Sequence, residues 1–205
     1  MDCSIPQAED NWWLKKPKLS DSQSLKLDLY FWLQALTISL VSLILIFTLV
    51  GRIIRVDGTS MLPTLQNQDL LFIQGIGYEP QQGDIVVLTK AFRIFNRPIV
   101  KRVIAVGGQT VDIDYESHTV FVDGQPLDEP YINQEELMTQ PSYENITSVT
   151  VPEGSIFVMG DNRNHSSDSR DVELGVVDNR YVLGKAVLIL YPVKDFGMIE
   201  GHSEG

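Results

Sequence analysis

The sequence has one cysteine, Cys3, among its 205 residues. A single cysteine cannot form an internal disulfide, so the fold must rely on its core, which a domain of about 150 residues can supply. Basic residues are also few: 16 Lys and Arg stand against 27 Asp and Glu, for a net charge of −11. Nucleic-acid-binding proteins normally present a basic face, so this balance argues against a nucleic-acid partner.

The sequence also lacks the patterns that hold common cofactors. It has three histidines, no cluster of His and Cys at metal-ligand spacing, and no glycine-rich phosphate loop. It shows no internal repeat. The sequence therefore implies no metal, nucleotide or other cofactor.

Charge is missing altogether from Leu29 to Gly51, an apolar run of 23 residues. As a helix, this run would be about 34 Å long, enough to cross a hydrocarbon core of about 30 Å. A buried core helix and a cleaved signal sequence fit less well, because the run is long and follows 28 mainly polar residues. We therefore expect a flexible tail over 1–28, a membrane helix over 29–51 and a separate domain over 52–205.

Lysines before the run set the expected orientation. Four lysines precede it and two arginines follow closely, which favours a cytoplasmic N-terminus and an extracytoplasmic domain over 52–205. A second segment, 91–97, interleaves apolar residues with two arginines. That segment suits either a membrane surface or a cap on the core.

Beyond the run, short apolar segments alternate with turn residues, which predicts a mainly β fold, a sandwich or barrel. Asp123-Gly124 is typical of a tight hairpin turn. We expect a small insert around 107–152, containing a polar loop from Pro126 to Tyr143. The predicted strands are Ile53–Val56, Asp69–Gln74, Asp84–Lys90, Pro98–Val106, Thr110–Asp114, Thr119–Val122, Thr147–Val151, Ser155–Met159 and Val182–Tyr191.

Ser60 lies in a constrained turn, Gly58-Thr59-Ser60-Met61-Leu62-Pro63-Thr64-Leu65. A hydroxyl on a rigid turn between apolar side chains is a plausible nucleophile. The same pattern also occurs in ordinary loops. The local sequence alone does not decide between them.

Lys101 lies in the apolar segment Pro98–Val106. On a strand it would share one face with Ile99, Val103 and Ala105. Burial there would lower the pKa of Lys101 and let the neutral amine accept a proton from Ser60. The alternative is an edge strand from which the lysine reaches water.

A polar loop, Gly160-Asp161-Asn162-Arg163-Asn164-His165-Ser166-Ser167-Asp168-Ser169-Arg170, contains no aliphatic side chain. Such a loop is either an exposed turn or a network that supports a site. His165 with Asp168 also allows a Ser-His-Asp triad with Ser60, because triad members meet only in the fold.

Together these segments resemble the bacterial-type signal peptidase I family, the membrane-bound Ser-Lys proteases of protein export. The resemblance rests on four motifs in series, behind an apolar helix, and covers about residues 29–191. The motifs are Gly58–Leu65, Gly83–Val87, Val100–Ile104 and Gly160–Arg170.

The resemblance implies that Ser60 is the nucleophile, Lys101 the general base and Ser166 the residue that orients the lysine amine. It also implies two structural ion pairs, Asp161 with Arg102 and Asp168 with Arg170, and it makes His165 a neighbour rather than a catalyst. Family positions for binding small residues before the cut fall on Met61, Leu65, Ile99 and Val100, and more loosely on Ile54, Val56 and Val87.

One position departs from some members of the family, which have a serine two residues before the nucleophile. Here that residue is Gly58. The oxyanion hole would then use the Ser60 N–H with the Gly58 backbone or a water. Losing one donor costs about 3–4 kcal/mol where nothing replaces it.

The resemblance implies a monomeric membrane endopeptidase that removes signal peptides from exported preproteins after an A-x-A-like site. Its partners would be preprotein signal peptides and the lipid bilayer. Two alternatives remain open: a Ser-Lys autoprotease related to the self-cleaving repressors, and a catalytically inactive membrane-tethered adaptor.

Overall fold

The computed structural model describes residues 21–49, 51–90, 97–133, 136–199 and 201. The chain separates into two compact units, with the boundary between Leu45 and Ile46. The described residues of the first unit, from Asp21 onwards, are helical, and the second unit carries all the described strands. The predicted surface segment 91–97 falls, except for Arg97, outside the described residues, as does the predicted tail before Asp21.

Helix α1 runs from Asp21 to Leu49, over 29 residues. It begins eight residues before the predicted start, so residues 21–28 are helical rather than part of a flexible tail. Lys26 and Asp28 lie just before the uncharged run. They do not interrupt the helix, because charged side chains are tolerated at helical positions. Residues Leu25–Leu45 have a mean hydropathy of 1.6 and are unburied, so by length and composition the helix could cross a membrane.

The rest of the described chain is mainly β, which confirms the predicted fold class. Three single turns of 3₁₀ helix connect strands at Arg163–His165, Asn179–Tyr181 and Val193–Asp195. The strands are β1 (Arg52–Arg55), β2 (Leu70–Gln74), β3 (Ile85–Leu88), β4 (Ile99–Val106), β5 (Thr110–Asp114), β6 (Thr119–Val122), β7 (Gln125–Pro126), β8 (Ser148–Thr150), β9 (Ser155–Met159), β10 (Val177–Asp178), β11 (Val182–Tyr191) and β12 (Gly197–Met198).

The strands form two antiparallel sheets. The larger has the order β1-β2-β11-β3-β4-β9-β10, with β12 also paired to β11, and the smaller has the order β7-β6-β5-β8. Strand β4 is therefore interior, between β3 and β9. The smaller sheet is built from 110–150, inside the predicted insert.

All nine predicted strands are present, displaced by at most two residues at either end. The three short strands β7, β10 and β12 were missed because two residues are too few to show a period-two pattern. Asp123 and Gly124 have φ angles of 53° and 75°, as a tight turn between β6 and β7 requires.

Three apolar clusters form the core. One packs the smaller sheet against Ile104 and Ala105, a second packs beneath the Ser60 loop, and a third contains Val103 with Val158. The prediction that Ala105 shares a face with Val103 was wrong. The pairing of β4 with β9 shifts register between Val103 and Ala105. Because such an irregularity breaks the alternation of side chains between the two faces of a strand, Ala105 does not share the face of Val103.

Candidate active site

Ser60 is carried by the loop between β1 and β2, and that loop is held at both ends. Val56 N–H donates to Asp69 O at 2.8 Å and Gln68 N–H donates to Val56 O at 2.9 Å. Gly58 has a φ of 109°, a backbone conformation that favours glycine. Met61 and Leu65 are fully buried and anchor the loop in the core. The turn is therefore rigid, as expected of a nucleophile-bearing loop.

Two asparagines fix the backbone on either side of Ser60. Gly58 N–H donates to Asn67 Oδ1 at 3.0 Å, and Asn162 N–H donates to Ser60 O at 3.0 Å. Asn162 Nδ2 also donates to Thr59 O at 3.0 Å. The amide of Gly58 is thus occupied, which argues against its predicted part in an oxyanion hole. The Ser60 N–H has no partner in the described part of the chain and remains the predicted donor.

Gly160 is required by close packing at the point where the polar loop meets the Ser60 loop. A Cβ atom there would lie 2.4 Å from Ser60 O and 2.3 Å from Ser166 Oγ. Backbone and a buried side chain leave no space for even one methyl group. The glycine therefore allows the two motif loops to approach each other.

Lys101 lies in β4, paired with Val86 of β3, and its side chain is only 3% exposed. The edge-strand alternative is excluded, because β4 has a neighbour on each side. Lys101 Nζ lies 2.6 Å from Ser60 Oγ, within hydrogen-bond distance. A candidate nucleophile and a candidate base, 41 residues apart in sequence, are thus in direct contact.

Burial lowers the pKa of Lys101 to about 8, from an ordinary value of 10.5. The carboxylates of Asp168 and Asp161 act in the opposite direction, and Arg170 reinforces the lowering. A neutral amine is consequently accessible in mildly alkaline solution. Such an amine can accept the Ser60 proton.

This lowered pKa predicts a pH dependence of any Ser60-dependent cleavage. Only the neutral Lys101 is a base, so kcat/KM should rise with pH and reach half its limit near pH 8. The pH profile of peptide cleavage would measure this. A rising limb centred near pH 6.5 would instead indicate an unperturbed histidine base.

Both predicted ion pairs are present and buried. Arg102 donates to Asp161 through Nε at 2.8 Å and through Nη2 at 2.7 Å. Arg170 donates to Asp168 through Nε at 2.8 Å and through Nη2 at 2.9 Å. Gly160 N–H also donates to Asp168, at 3.0 Å. The first pair joins β4 to the polar loop, and the second lies within the polar loop. Both therefore fix the elements that carry the site.

Ser166 is buried, but no hydrogen bond joins its hydroxyl to Lys101 Nζ among the described contacts, contrary to the geometry expected of an orienting residue. Burial would raise the pKa of Asp168, but the Arg170 guanidinium outweighs burial and, together with the Gly160 N–H, keeps that pKa below its usual value. The Ser166 hydroxyl makes no hydrogen bond with any described residue. An effect of Ser166 on the lysine stays a prediction.

His165 is 65% exposed, and its Nε2 lies 3.4 Å from Glu136 Oε1. Asp168, the carboxylate that a triad would need, is bound by Arg170. The contact to Ser60 Oγ comes from Lys101. The geometry therefore favours the Ser-Lys arrangement over the Ser-His-Asp alternative.

A cavity of about 290 Å³ opens onto Ser60 and Lys101. Of the residues predicted to bind substrate, Ile99 and Val100 line it. The other five belong to the apolar cluster beneath the Ser60 loop and are not among its lining residues: Ile54, Val56, Met61, Leu65 and Val87. Their predicted contact with substrate stays a prediction.

Several supporting contacts were not predicted. Thr64 Oγ1 donates to Asp161 Oδ2 at 2.5 Å, and the Tyr131 ring lies 3.8 Å from the Arg102 guanidinium. Arg163 and Glu129 form a further buried ion pair. Their partners are distant in sequence, so no local pattern could have paired them. For the pair of Arg163 with Glu129, the local sequence indicated only that the polar segment 126–143 contains an acidic residue able to pair with a base.

A family model for signal peptidases, described as "Signal peptidase, peptidase S26", matches residues 29–191. The chain belongs to this family. The signal peptidase I of Bacillus licheniformis is 34% identical over 181 residues, covering 85% of this chain and 95% of that protein. Signal peptidase I S of Bacillus subtilis is 33% identical, covering 86% of this chain and 96% of that protein.

A solved structure of a signal peptidase I from Enterococcus faecalis V583 is 33% identical to this chain. It covers 53% of this chain and 97% of its own, with a TM-score of 0.42. Membership of the signal peptidase family makes this chain a serine peptidase by family. The family match and the apolar helix α1 together indicate a membrane-anchored protein.

Proposed function

We propose that this protein removes signal peptides from exported preproteins, with Ser60 as nucleophile and Lys101 as general base. One observation carries the proposal: in a chain of the signal peptidase family, a buried lysine amine lies 2.6 Å from a serine hydroxyl beside an open cavity. The lowered pKa of Lys101 makes the neutral amine that a base needs accessible in mildly alkaline solution.

Acylation begins when neutral Lys101 Nζ accepts the proton of Ser60 Oγ. The oxygen attacks the carbonyl carbon of the residue before the cut, and the oxyanion that forms is bound by the Ser60 N–H. The protonated amine then donates its proton to the nitrogen of the leaving peptide. That peptide, the start of the mature protein, departs with a free amino terminus.

Deacylation repeats the proton transfers with water. Lys101 Nζ, neutral again, accepts a proton from a water that attacks the acyl-enzyme carbonyl. The tetrahedral species collapses, Ser60 Oγ takes the proton back from the amine, and the signal peptide leaves with a free carboxylate. The buried pairs Arg102–Asp161 and Arg170–Asp168 hold Ser60 and Lys101 in position during both steps.

Small residues before the cut fit this cavity. Two aliphatic residues, Ile99 and Val100, line it beside Lys101, and Val100 also belongs to the buried apolar cluster beneath the Ser60 loop. Aliphatic side chains at this part of the wall favour a small apolar side chain over a charged one. We propose that this discrimination gives the preference for an A-x-A-like site.

The direct test incubates the full chain in detergent with a preprotein and sequences the N-terminus of the product. Cleavage after an A-x-A-like site, absent with Ser60→Ala, would support the proposal. Cleavage only within the chain itself would favour an autoprotease. Binding of the preprotein without cleavage, under conditions in which the chain is folded, would favour an adaptor.

We also propose that the N-terminus is cytoplasmic and that residues 52–205 are extracytoplasmic, because four lysines precede the apolar helix. Protease added outside intact spheroplasts should then digest the β domain. Detergent permeabilisation is the control, since it exposes both sides. Digestion limited to the tail in intact spheroplasts, with the β domain protected, would reverse the orientation.

A further inference from the structure

A second cavity, of about 470 Å³, lies beside the cavity that contains Ser60. One wall is the segment 139–143, and the other is the segment 163–167 of the polar loop. His165 and Ser167 line both cavities. The two cavities are therefore neighbours with a shared border.

The outer wall of this second cavity is fixed by one amide side chain, that of Asn164. Its Oδ1 accepts from Thr139 N–H at 2.8 Å and from Thr139 Oγ1 at 3.1 Å. Its Nδ2 donates to Leu137 O at 2.9 Å and to Glu136 Oε1 at 3.2 Å. The contact of His165 Nε2 with Glu136 adds a second link. These contacts hold the segment 136–139 against the polar loop 160–170.

The position of the second cavity relative to Ser60 decides which part of a substrate can reach it. Ile99 and Val100, proposed to bind the residue before the cut, line the first cavity only. A peptide chain that lies along them and reaches Ser60 must continue away from them after the cut. The border formed by His165 and Ser167, on which the second cavity lies, is available for that part of the chain.

The chemistry of the second cavity differs from that of the first. Hydroxyl, amide and imidazole groups dominate its walls, from residues such as Gln140, Ser142 and Ser167. Groups of this kind hydrogen-bond polar side chains and the free N–H and C=O groups of an extended peptide. Aliphatic walls of the kind formed by Ile99 and Val100 are missing among its lining residues.

We propose that this second cavity binds the polar residues immediately after the cut, at the start of the mature protein. The proposal rests on the proposed function and assigns to the same site a binding surface for the leaving peptide. Contacts made there hold the scissile bond at Ser60, so they should raise kcat/KM rather than affinity alone.

The test compares two synthetic substrates that are identical up to the first residue after the cut. The short one ends there as an amide, and the long one carries four further polar residues. The unmodified protein in detergent should cleave the long substrate with a kcat/KM about tenfold higher, which corresponds to about 1.4 kcal/mol of binding free energy.

Gln140→Trp fills the second cavity without touching the first, and Gln140 is exposed and makes no described hydrogen bond. This variant should lose the tenfold advantage of the long substrate and cleave the short one within about twofold of the unmodified rate. Gln125→Trp is the matched control, because Gln125 is an exposed glutamine of β7 outside both cavities. It should leave both rates unchanged.

Two results would overturn the inference. Equal cleavage of the two substrates by the unmodified protein would show that nothing after the cut is bound. An equal loss of cleavage on both substrates in folded Gln140→Trp would show that the substitution impairs the reaction at Ser60 rather than binding of the residues after the cut. If Gln140→Trp does not fold, Ser142→Trp fills the same cavity and takes its place. Failure of the unmodified protein to cleave either substrate would instead refute the proposed function itself.

Discussion

Lys101→Ala is expected to lose preprotein cleavage by about 10³-fold or more, close to the loss in Ser60→Ala. Lys101 Nζ is 2.6 Å from Ser60 Oγ, and no other described group is positioned to take its proton. Without the amine, the hydroxyl stays protonated and the acyl-enzyme lacks an activator for water. The two changes should also be non-additive, because each removes the same step.

His165→Ala is the discriminating control and should lose at most about tenfold, the contribution proposed for the second cavity that His165 lines, because its side chain takes no part in the chemistry. It removes an exposed side chain whose described partner is Glu136. Ser166→Ala should fall between the two, because it removes a buried hydroxyl of the polar loop without removing a reacting group. Loss of activity in His165→Ala with Lys101→Ala largely active would refute the Ser-Lys assignment.

The stability of Lys101→Met separates loss of chemistry from loss of fold. In the folded protein the pKa of Lys101 is about 8, below its ordinary 10.5, so the unfolded chain binds the proton more tightly. This lysine therefore destabilises the fold at neutral pH, and the penalty falls as the pH rises from about 8 towards 10.5. Lys101→Met should be inactive at pH 7 yet unfold at the same or higher urea concentration.

Much of this fold could be predicted because its signals are local. Alternating apolar residues between turn residues predicted every strand of four or more residues, and Asp123-Gly124 predicted a hairpin. Ser60, Lys101 and the polar loop were found by local chemistry and by motif order.

The remaining features depend on contacts between distant residues. Asn67 occupies the amide of Gly58, a predicted oxyanion donor, and nothing near either residue indicates that hydrogen bond. The irregularity in β4 that separates Ala105 from Val103 is imposed by pairing with β9. The wall fixed by Asn164 joins segments 25 residues apart. Only the folded chain brings these groups together.

Asp161→Ala is expected to destabilise the β domain by about 3–5 kcal/mol, because it leaves a buried guanidinium without its carboxylate. Arg102 and Asp161 are both almost fully buried, and Thr64 loses its hydrogen bond in the same variant. For a chain of this size, that change lowers the melting temperature by about 6–20 °C. Urea unfolding of the full chain in detergent, followed by near-ultraviolet circular dichroism, would measure it.

Arg180→Ala is the matched control, since Arg180 forms a bidentate pair with Asp178 but its side chain is 85% exposed. Removing this exposed pair should cost far less than removing the buried one, because water screens its charges. Adding Arg102→Met to Asp161→Ala should recover part of the lost stability, because it removes the unpaired charge and keeps an apolar stem. A loss in Asp161→Ala no larger than in Arg180→Ala would show that the buried pair does not hold the site together.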